Sequence, residues 1–259
     1  MDLGIKGRNA IVCASSKGLG RACAVELAHA GCRVAINGRQ GDLLERVRDE
    51  IVAETGAEVI AIPGDMSTEE GRAALLGAFD EVDILVNNNG GPPPRDFRQV
   101  DHDAMLAGLE ANMIAPIALI QAVIDGMVER RFGRIVNITS GSVKMPMAGL
   151  DLSSGACAGL TGFVAGVARQ VVHANVTINN LLPGAFDTDR IASFVAAQAE
   201  KTGREPAAIR AERERGIPAK RLGAPAEFGA ACAFLCSAQA GYITGQSLLI
   251  DGGAFPGIL

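Results

Sequence analysis

The sequence predicts an α/β protein, a single domain over 1–259 built on a doubly wound parallel sheet of about seven strands with helices on both faces. Short β-branched runs alternate with longer helical stretches along the chain, which is the pattern of parallel βαβ units. The 259 residues are 48% hydrophobic and 20% charged, a composition that suits one large buried sheet. Right-handed crossovers between such strands place helices on both faces.

Seven short apolar runs, each followed by a turn or a helix, are predicted as strands. They are 10–13, 33–36, 58–62, 83–86, 134–138, 177–182 and 247–250. Longer amphipathic or charged stretches between them are predicted as helices. These are 18–30, 41–55, 68–79, a long helix over 101–128 that is bent near Pro116, and 153–173. The polar segment 187–215 is predicted to be a helical insertion at the carboxyl edge of the sheet, where this architecture binds ligands. It is a candidate substrate lid, with a solvated helical pair as the alternative.

Charge and cysteine usage exclude several functions. The chain has 24 basic and 29 acidic residues, and this net charge of −5 argues against nucleic-acid binding. Charges near the start do not fit a secretory signal, and polar residues interrupt the apolar stretch 113–128, so no membrane association is expected. The six cysteines have no disulfide-scaffold spacing, which favours a cytoplasmic location. The three histidines are scattered, so no metal site is expected.

A glycine pair at the junction of the first strand and first helix indicates a nucleotide site. Small residues there let the backbone approach a pyrophosphate, and the amides at the helix N-terminus stabilise its charge. The predicted cofactor contacts in this loop are Ser15, Ser16, Lys17, Gly18, Leu19 and Gly20.

The end of the second strand favours NADP(H) over NAD(H). A NAD site usually has a carboxylate about 20 residues beyond the glycines, for the ribose 2′-hydroxyl. Here the strand ends in Asn37, Gly38 and Arg39, with no acid. Arg39 and Lys17 could bind a 2′-phosphate through charge-assisted hydrogen bonds. The alternative is that Arg39 only begins a solvated helix.

Further motifs follow in an order that resembles the short-chain dehydrogenase/reductase family over nearly the whole chain. They are Gly64-Asp65-Met66, Asn87-Asn88-Asn89-Gly90, Asn112, Ile138-Thr139-Ser140, Asn179 to Gly184, and the C-terminal segments 217–227 and 242–253. The resemblance implies a Rossmann-type fold, cofactor contacts and two catalytic residues, Ser140 and Asn112. The cofactor contacts implied are Asp65, Met66, Asn88, Gly90, Pro183, Gly184 and Thr188. Cys13 and Ala14 replace the Thr-Gly that opens the family's glycine motif.

The largest departure from the family is the loss of its Tyr-x-x-x-Lys motif. Ser153 and Cys157 stand at the tyrosine and lysine positions, and the 13-residue spacing from Ser140 (153 − 140) is the family's own. Serine at this position and the Gly90 to Pro94 segment resemble a divergent 3-oxoacyl-acyl-carrier-protein-reductase-like branch. Ser153 and Lys144 are added to the candidate catalytic residues. Because the Ser153 hydroxyl hardly ionises, a water relay or Lys144 is the candidate proton source. The alternative for Lys144 is a solvated loop charge. Cys157, in the first turns of a helix, is a candidate nucleophile, and its alternative is a small core-facing side chain.

The resulting hypothesis is an NADP(H)-dependent oxidoreductase that transfers hydride between a nicotinamide and a small carbonyl or alcohol, with an atypical proton-transfer site. Two alternatives stay open: a non-redox lyase, hydratase or isomerase, and a catalytically inactive nucleotide-binding regulator. A homotetramer or homodimer is implied by the resemblance alone. Pro92, Pro93 and Pro94 are expected to stiffen the loop over the nicotinamide, or to form an ordinary rigid turn.

Overall fold

A computed structural model describes residues 2–91 and 95–258, and it confirms a single sheet of seven parallel strands. The order across the sheet is β3-β2-β1-β4-β5-β6-β7. The chain therefore reverses direction across the sheet between β1 and β4, and their carboxyl ends open the crevice in which such sheets bind ligands. The strands are β1 Asn9–Val12, β2 Arg33–Gly38, β3 Val59–Pro63, β4 Ile84–Asn87, β5 Gly133–Ile138, β6 Val176–Pro183 and β7 Ser247–Ile250.

Helices cover both faces of the sheet and bury two apolar clusters. The helices are α1 Gly18–His29, α2 Gly41–Thr55, α3 Glu69–Leu76, α4 His102–Leu109, α5 Ala115–Glu129, α6 Asp151–Val171, α7 Asp189–Thr202, α8 Pro206–Gly216 and α9 Pro225–Cys236. α1, α2 and α9 bury Leu27, Ile51 and Phe228 on one face. α3, α5 and α6 bury their apolar residues on the other face. The strands between these helix layers are rich in buried apolar residues, as is typical of parallel sheets.

The helix predicted over 101–128 is divided by a π-helical turn at Glu110–Ile114. Pro116 lies at the start of α5 and has no N–H to donate into the preceding turn, which favours a change of hydrogen-bond spacing just upstream. Arg72 pairs with Glu110 at 3.1 Å and fixes this turn against the loop after β3. The sequence therefore located the irregularity but not its form, and Asn112 lies inside it.

Two helical stretches, His102–Glu129 and Asp151–Ala174, are long and apolar enough to cross a membrane by length and composition. Both stretches include residues of the core beneath the sheet, among them Leu119, Val123, Leu160 and Val164. Packing against the sheet accounts for part of their apolar character.

The segment predicted as an insertion forms the two helices α7 and α8. Arg210 of α8 donates to both carboxylate oxygens of Asp187, at 2.8 and 2.7 Å, and also bonds to Glu214. This pairing lowers the pKa of Asp187. Because Asp187 lies directly before α7 and one residue before Thr188, the ion pair fixes α8 to the rim of the crevice.

Candidate active site

A row of hydrogen-bonded polar side chains runs across four neighbouring strands, β4, β5, β6 and β7. Asn87 of β4 donates to Asn137 of β5 at 2.9 Å, and Asn137 donates to Asn180 of β6 at 3.1 Å. Asn180 donates in turn to the hydroxyl of Ser247 in β7 at 3.2 Å. The four residues are register partners, so these hydrogen bonds help to fix the register of the four strands.

The loop after β1 is held close to β4, and this explains its small residues. The side-chain amide of Asn88 donates to the carbonyl of Ala14 at 3.0 Å. A Cβ at Gly20 would lie 2.5 Å from the same carbonyl oxygen, so only glycine fits there. Gly18 has φ +58° and begins α1. Ala14, with φ +42°, occupies a left-handed backbone region that favours glycine.

Ser15 shapes this loop through a fully used side chain. Its hydroxyl donates to the carbonyl of Val12 at 2.7 Å and accepts from the backbone N–H of Asn37 at 2.9 Å. The side-chain amide of Asn37 donates to the carbonyls of Ile62 and Gly64, at 3.0 and 3.1 Å. The asparagine at the position of the expected carboxylate thus connects three strand ends. Sequence reasoning noted the missing acid but not this role.

The two cations predicted for a 2′-phosphate lie at this same corner. Lys17 caps α1 in extended conformation, and Arg39 directly follows β2. Both are exposed. Ser16 lies between the two segments, since a Cβ at Gly38 would be 3.1 Å from its hydroxyl oxygen. Within the described residues, neither Lys17 nor Arg39 forms an ion pair, so both charges are available to a ligand.

The loop after β3 presents backbone as much as side chain. Asp65 accepts a hydrogen bond from the backbone N–H of Ser67 at 2.9 Å and is half-buried. Met66 is only 2% exposed, with its side chain in the core. Of the two predicted contacts, Asp65 can reach a ligand by its side chain and Met66 only by its backbone.

Three loops close the other side of the crevice. Gly184 donates its N–H to Ile250 at 2.9 Å, and Thr188 caps α7. Gly18 faces Thr188, because a Cβ on this glycine would lie 3.8 Å from the threonine methyl. Pro183 borders the loop after β5, and a Cβ at Gly141 would lie 3.0 Å from the Pro183 carbonyl oxygen. The predicted contacts from the two halves of the sheet therefore lie next to each other.

Gly90 is exposed, with open space where a Cβ would be, so a ligand can approach its backbone. Asn89 precedes it and donates to the carbonyl of Ala111 at 2.9 Å, which joins this loop to the π-helical turn. The prolines 92–94, predicted to stiffen the loop, lie outside the described residues.

Ser140 begins a short 3₁₀ turn, Gly141–Val143, and lies in a chain of three serines. Its hydroxyl oxygen accepts from the Ser142 N–H at 3.1 Å and lies 2.8 Å from the Ser142 hydroxyl. The Ser142 hydroxyl is also 2.8 Å from the hydroxyl of Ser154, in the first turns of α6. Sequence reasoning missed Ser142 and Ser154. The Ser-Gly-Ser after β5 and the double serine in α6 were the available signals.

Ser153 and Cys157 are both buried, one helical turn apart on α6. Burial raises the pKa of the Cys157 thiol, and a hydrogen bond with Ser153 lowers it in part. The thiol therefore stays protonated at neutral pH, which argues against a nucleophilic role. In the described structure Ser153 is not hydrogen-bonded to Ser140, so its predicted catalytic role has no direct contact to support it. The sole tyrosine, Tyr242, is fully exposed.

Lys144 lies on the same loop as Ser140, whereas no hydrogen bond joins Asn112 to Ser140 among the described residues. Asn112 lies in the π-helical turn and donates to the carbonyl of Gly108 at 3.2 Å. Lys144 ends the 3₁₀ turn that Ser140 begins, and it is half-buried. In residues 2–91 and 95–258 the Lys144 ammonium has no hydrogen-bond or ion-pair partner. Its role as a proton source stays a prediction.

Thr139 carries a polar atom that the fold does not satisfy. Its hydroxyl oxygen is buried and has no hydrogen-bond partner among the described residues. A buried hydroxyl without a partner is costly, so such groups call for an explanation. Thr139 lies between the end of β5 and Ser140, at the carboxyl edge of the sheet. The described residues contain no cluster of histidine, cysteine or carboxylate side chains that could hold a metal ion.

A parallel sheet with a glycine loop between β1 and α1 and polar loops at its crevice defines a dinucleotide-binding α/β enzyme. Residues 13–254 match a family model described as "Enoyl-(Acyl carrier protein) reductase". The chain belongs to the short-chain dehydrogenase/reductase family, in its 3-oxoacyl-acyl-carrier-protein-reductase-like branch. It is therefore an oxidoreductase enzyme.

Relatives match this chain along its whole length. It is 34% identical to the NADPH-dependent reductase BacG of Bacillus subtilis (strain 168), over 97% of this chain and 99% of the relative. It is 31% identical to the 3-oxoacyl-[acyl-carrier-protein] reductase FabG of Aquifex aeolicus (strain VF5), over 98% of this chain and 100% of the relative. The structure of L-sorbose reductase from Gluconobacter frateurii, complexed with NADPH and L-sorbose, superposes with a TM-score of 0.94 at 26% identity, covering 100% of both chains.

Proposed function

We propose that this protein is an NADP(H)-dependent reductase of small carbonyl compounds, or the corresponding alcohol dehydrogenase, that delivers its proton without a tyrosine. The observation that carries the proposal is the cofactor cradle. Position 20 accepts only glycine, because a Cβ there would clash with the Ala14 carbonyl. Gly18, at the start of α1, faces Thr188. BacG is named as NADPH-dependent, and the L-sorbose reductase structure contains NADPH. The non-redox and inactive alternatives are not favoured by these relatives.

The residues present fit NADPH. The loop before α1 offers backbone N–H groups to a pyrophosphate at a helix N-terminus. Lys17 and Arg39 suit a 2′-phosphate, and the Thr139 hydroxyl lacks a partner that a bound ligand could provide. The chemistry that NADPH supplies when bound is a hydride for a carbonyl carbon.

Ser140 and Asn112 are proposed to orient the substrate. The Ser140 oxygen already accepts two hydrogen bonds from Ser142, so its own proton is free to donate to a carbonyl oxygen in the crevice. Such a donor stabilises the negative charge that develops on this oxygen. Asn112 shapes the facing wall through the π-helical turn. Neither residue supplies a replacement for the family's tyrosine by itself.

The choice of NADPH over NADH is tested by calorimetric titration of the wild-type protein with each cofactor. NADPH should bind more tightly, and Arg39→Ala should weaken NADPH about 10- to 100-fold, as the loss of a charge-assisted hydrogen bond predicts, while changing NADH little. Arg46→Ala removes the same charge from the exposed side of α2 and serves as the matched control. Equal binding of the two cofactors, unchanged in Arg39→Ala, would contradict the proposed preference.

The proposal includes α7 and α8 as a substrate lid. The Asp187–Arg210 pair connects the hairpin to the residue before Thr188, so movement of the helices would reach the rim of the crevice. Phe194 of α7 is 43% exposed and is available to cover an apolar part of a substrate.

A homodimer or homotetramer in the cytoplasm completes the proposal. Leu106, Ile114 and Phe163, on the α4–α6 side of the sheet, are 50%, 47% and 41% exposed. Leu248 is 43% exposed on β7, which forms one edge of the described sheet. Apolar surface of this kind suits subunit contacts. Light scattering on the purified protein should give a mass of two or four chains, and a monomer at micromolar concentration would contradict this part.

A further inference from the structure

We propose that Ser140, Ser142 and Ser154 form a hydroxyl relay that carries a proton from solvent to the substrate oxygen, in the place of the missing tyrosine and lysine. This inference rests on the proposed reductase function and names how its proton is supplied. Ser140 is the catalytic residue of the three. Ser142 and Ser154 are positioning residues that act through it.

The distances form one continuous path. The hydroxyl oxygens of Ser140 and Ser142 are 2.8 Å apart, and those of Ser142 and Ser154 are also 2.8 Å apart. Both values are typical of strong O–H···O hydrogen bonds. Ser142 is only 2% exposed, so solvent does not reach the middle of the path. Ser140 and Ser154 are half-buried and form its two open ends, one at the crevice and one in the first turns of α6.

The surroundings stabilise the path in both of its hydrogen-bond directions. In one direction Ser154 donates to Ser142, Ser142 donates to Ser140, and Ser140 donates into the crevice. In the other direction every hydroxyl is turned round, and Ser154 needs a different acceptor. The carbonyl of Leu150, 2.8 Å from the Ser154 oxygen, provides that acceptor. Each hydroxyl has one proton to donate, so the two directions are distinct states with the same number of hydrogen bonds.

The proton balance follows from these two states. After a carbonyl carbon accepts hydride, its oxygen is an alkoxide. The Ser140 O–H bond breaks as the proton moves to that oxygen, and Ser140 takes the proton of Ser142. Ser142 takes the proton of Ser154, and a water molecule protonates Ser154 and leaves as hydroxide. The hydrogen bonds between the three hydroxyls then run in the reversed direction. Rotation of the three hydroxyls restores the starting direction. No serine stays ionised.

Aliphatic hydroxyls suit this task better than their weak acidity suggests. A serine hydroxyl and the substrate alcohol bind a proton with similar strength, so each transfer along the chain is nearly balanced in energy. The other candidates are less well placed. Cys157 is buried with a raised pKa, and Ser153 bonds to it instead of to Ser140. Among the described residues, no hydrogen bond joins the Lys144 ammonium to the path.

The test compares four variants by the single-turnover rate of NADPH oxidation, with ethyl acetoacetate and L-sorbose as carbonyl probes. Ser142→Ala and Ser154→Ala should each lower the rate about 10- to 100-fold, part of the 10²–10⁴ that a placed acid contributes. Ser142→Thr keeps a hydroxyl and should recover most of the rate. Thr161→Val is the matched control, because it removes a hydroxyl bonded four residues back on the same helix at 2.8 Å, outside the relay.

Two further readouts separate a relay from a structural role. In mixtures of light and heavy water, the wild-type rate should fall along a curve, since several protons move together, whereas the Ser142→Ala rate should fall linearly. NADPH affinity and the thermal midpoint should change little in all four variants. Alanine variants that react within twofold of the wild type would overturn the relay. A wild-type protein that oxidises no NADPH with any carbonyl would instead overturn the proposed function, and the relay with it.

Discussion

At the residue scale, Ala14 is the point where the glycine loop departs from the family pattern and where its backbone is strained. Its φ of +42° costs a residue with a Cβ roughly 1–2 kcal/mol. The carbonyl of Ala14 is nevertheless held by Asn88 at 3.0 Å, so the surrounding structure maintains the conformation. The methyl group therefore leaves the turn in place and lowers the free energy of unfolding.

Ala14→Gly should stabilise the protein by about 1 kcal/mol, because relief of the strain exceeds the entropy that glycine adds to the unfolded chain. Urea unfolding of the cofactor-free protein measures this change. Ala30→Gly, at φ −74°, is the control and should be destabilising. A destabilised Ala14→Gly variant would show that the strain is not released.

The Thr139 hydroxyl predicts opposite effects on stability and on binding. Thr139→Val removes a buried donor without a partner and should stabilise the cofactor-free protein by about 1 kcal/mol. The same change should weaken NADPH, if the ligand supplies the missing hydrogen bond. Thr177, at the opposite end of the sheet, has an equally unpartnered hydroxyl. Thr177→Val should therefore stabilise the protein without changing NADPH affinity. Calorimetric titration of both variants with NADPH measures these affinities. Unchanged NADPH affinity in Thr139→Val would contradict a hydrogen bond between NADPH and the Thr139 hydroxyl.

At the scale of elements, the strands were predictable and the irregular turns were not. Each strand contains a short apolar run, so local composition locates it to within one or two residues. The π-helical turn around Asn112 depends on packing that no local pattern records. A Cβ at Gly159 of α6 would lie 2.8 Å from the Met113 sulfur, so a glycine and a methionine that are distant in sequence decide how closely these elements approach.

The serine chain shows the same limit within the site. Ser140 was predictable from its motif at the end of β5. Its connection to Ser154 runs through Ser142, which lies in the 3₁₀ turn and reaches the first turns of α6. That helix begins at Asp151, two residues before the predicted start. Spacing along the chain predicts which residues share an edge of the sheet, but not which hydroxyls meet across it.

An exposed ion pair attaches α8 to Asp187 in the loop after β6, which gives an element-scale prediction. The Arg210 hydrogen bonds lower the pKa of Asp187, so the pair is complete above the ordinary aspartate pKa and is lost as pH falls through the lowered value. Asp187→Asn should therefore speed hydrogen exchange in α8 at pH 7 and change global stability little. Glu212→Gln is the control. It breaks the ion pair with Arg204 but leaves the pair between Asp187 and Arg210 in place, so exchange in α8 should change less. Equal exchange in α8 for Asp187→Asn and the wild type would contradict the role of this pair.

At the scale of the whole molecule, the six cysteines are part of the core. All six are free and buried. Burial raises the pKa of Cys13 and of Cys32 to about 12. Because their folded-state pKa values are raised, these thiols stay protonated at pH 8, where roughly one in 10⁴ is ionised.

The native protein should therefore not react with Ellman's reagent at pH 8 within minutes, and all six thiols should react in denaturant. Cys157→Ser should lower the denatured count to five and leave the native protein unreactive. Rapid modification of one native thiol, absent in Cys157→Ser, would show that Cys157 is accessible and ionised, contrary to its burial on α6.

If the whole molecule is a working reductase despite its missing tyrosine, the protein oxidises NADPH when a carbonyl substrate is present. NADPH oxidation by the wild-type protein is followed with ethyl acetoacetate, L-sorbose and a 3-oxoacyl thioester, beside Ser140→Ala as the inactive control. We expect the moles of NADPH oxidised to equal the moles of alcohol formed. The rate of NADPH oxidation should fall at least 100-fold in Ser140→Ala. NADPH that stays unoxidised with every carbonyl, or oxidation that Ser140→Ala leaves unchanged, would contradict it.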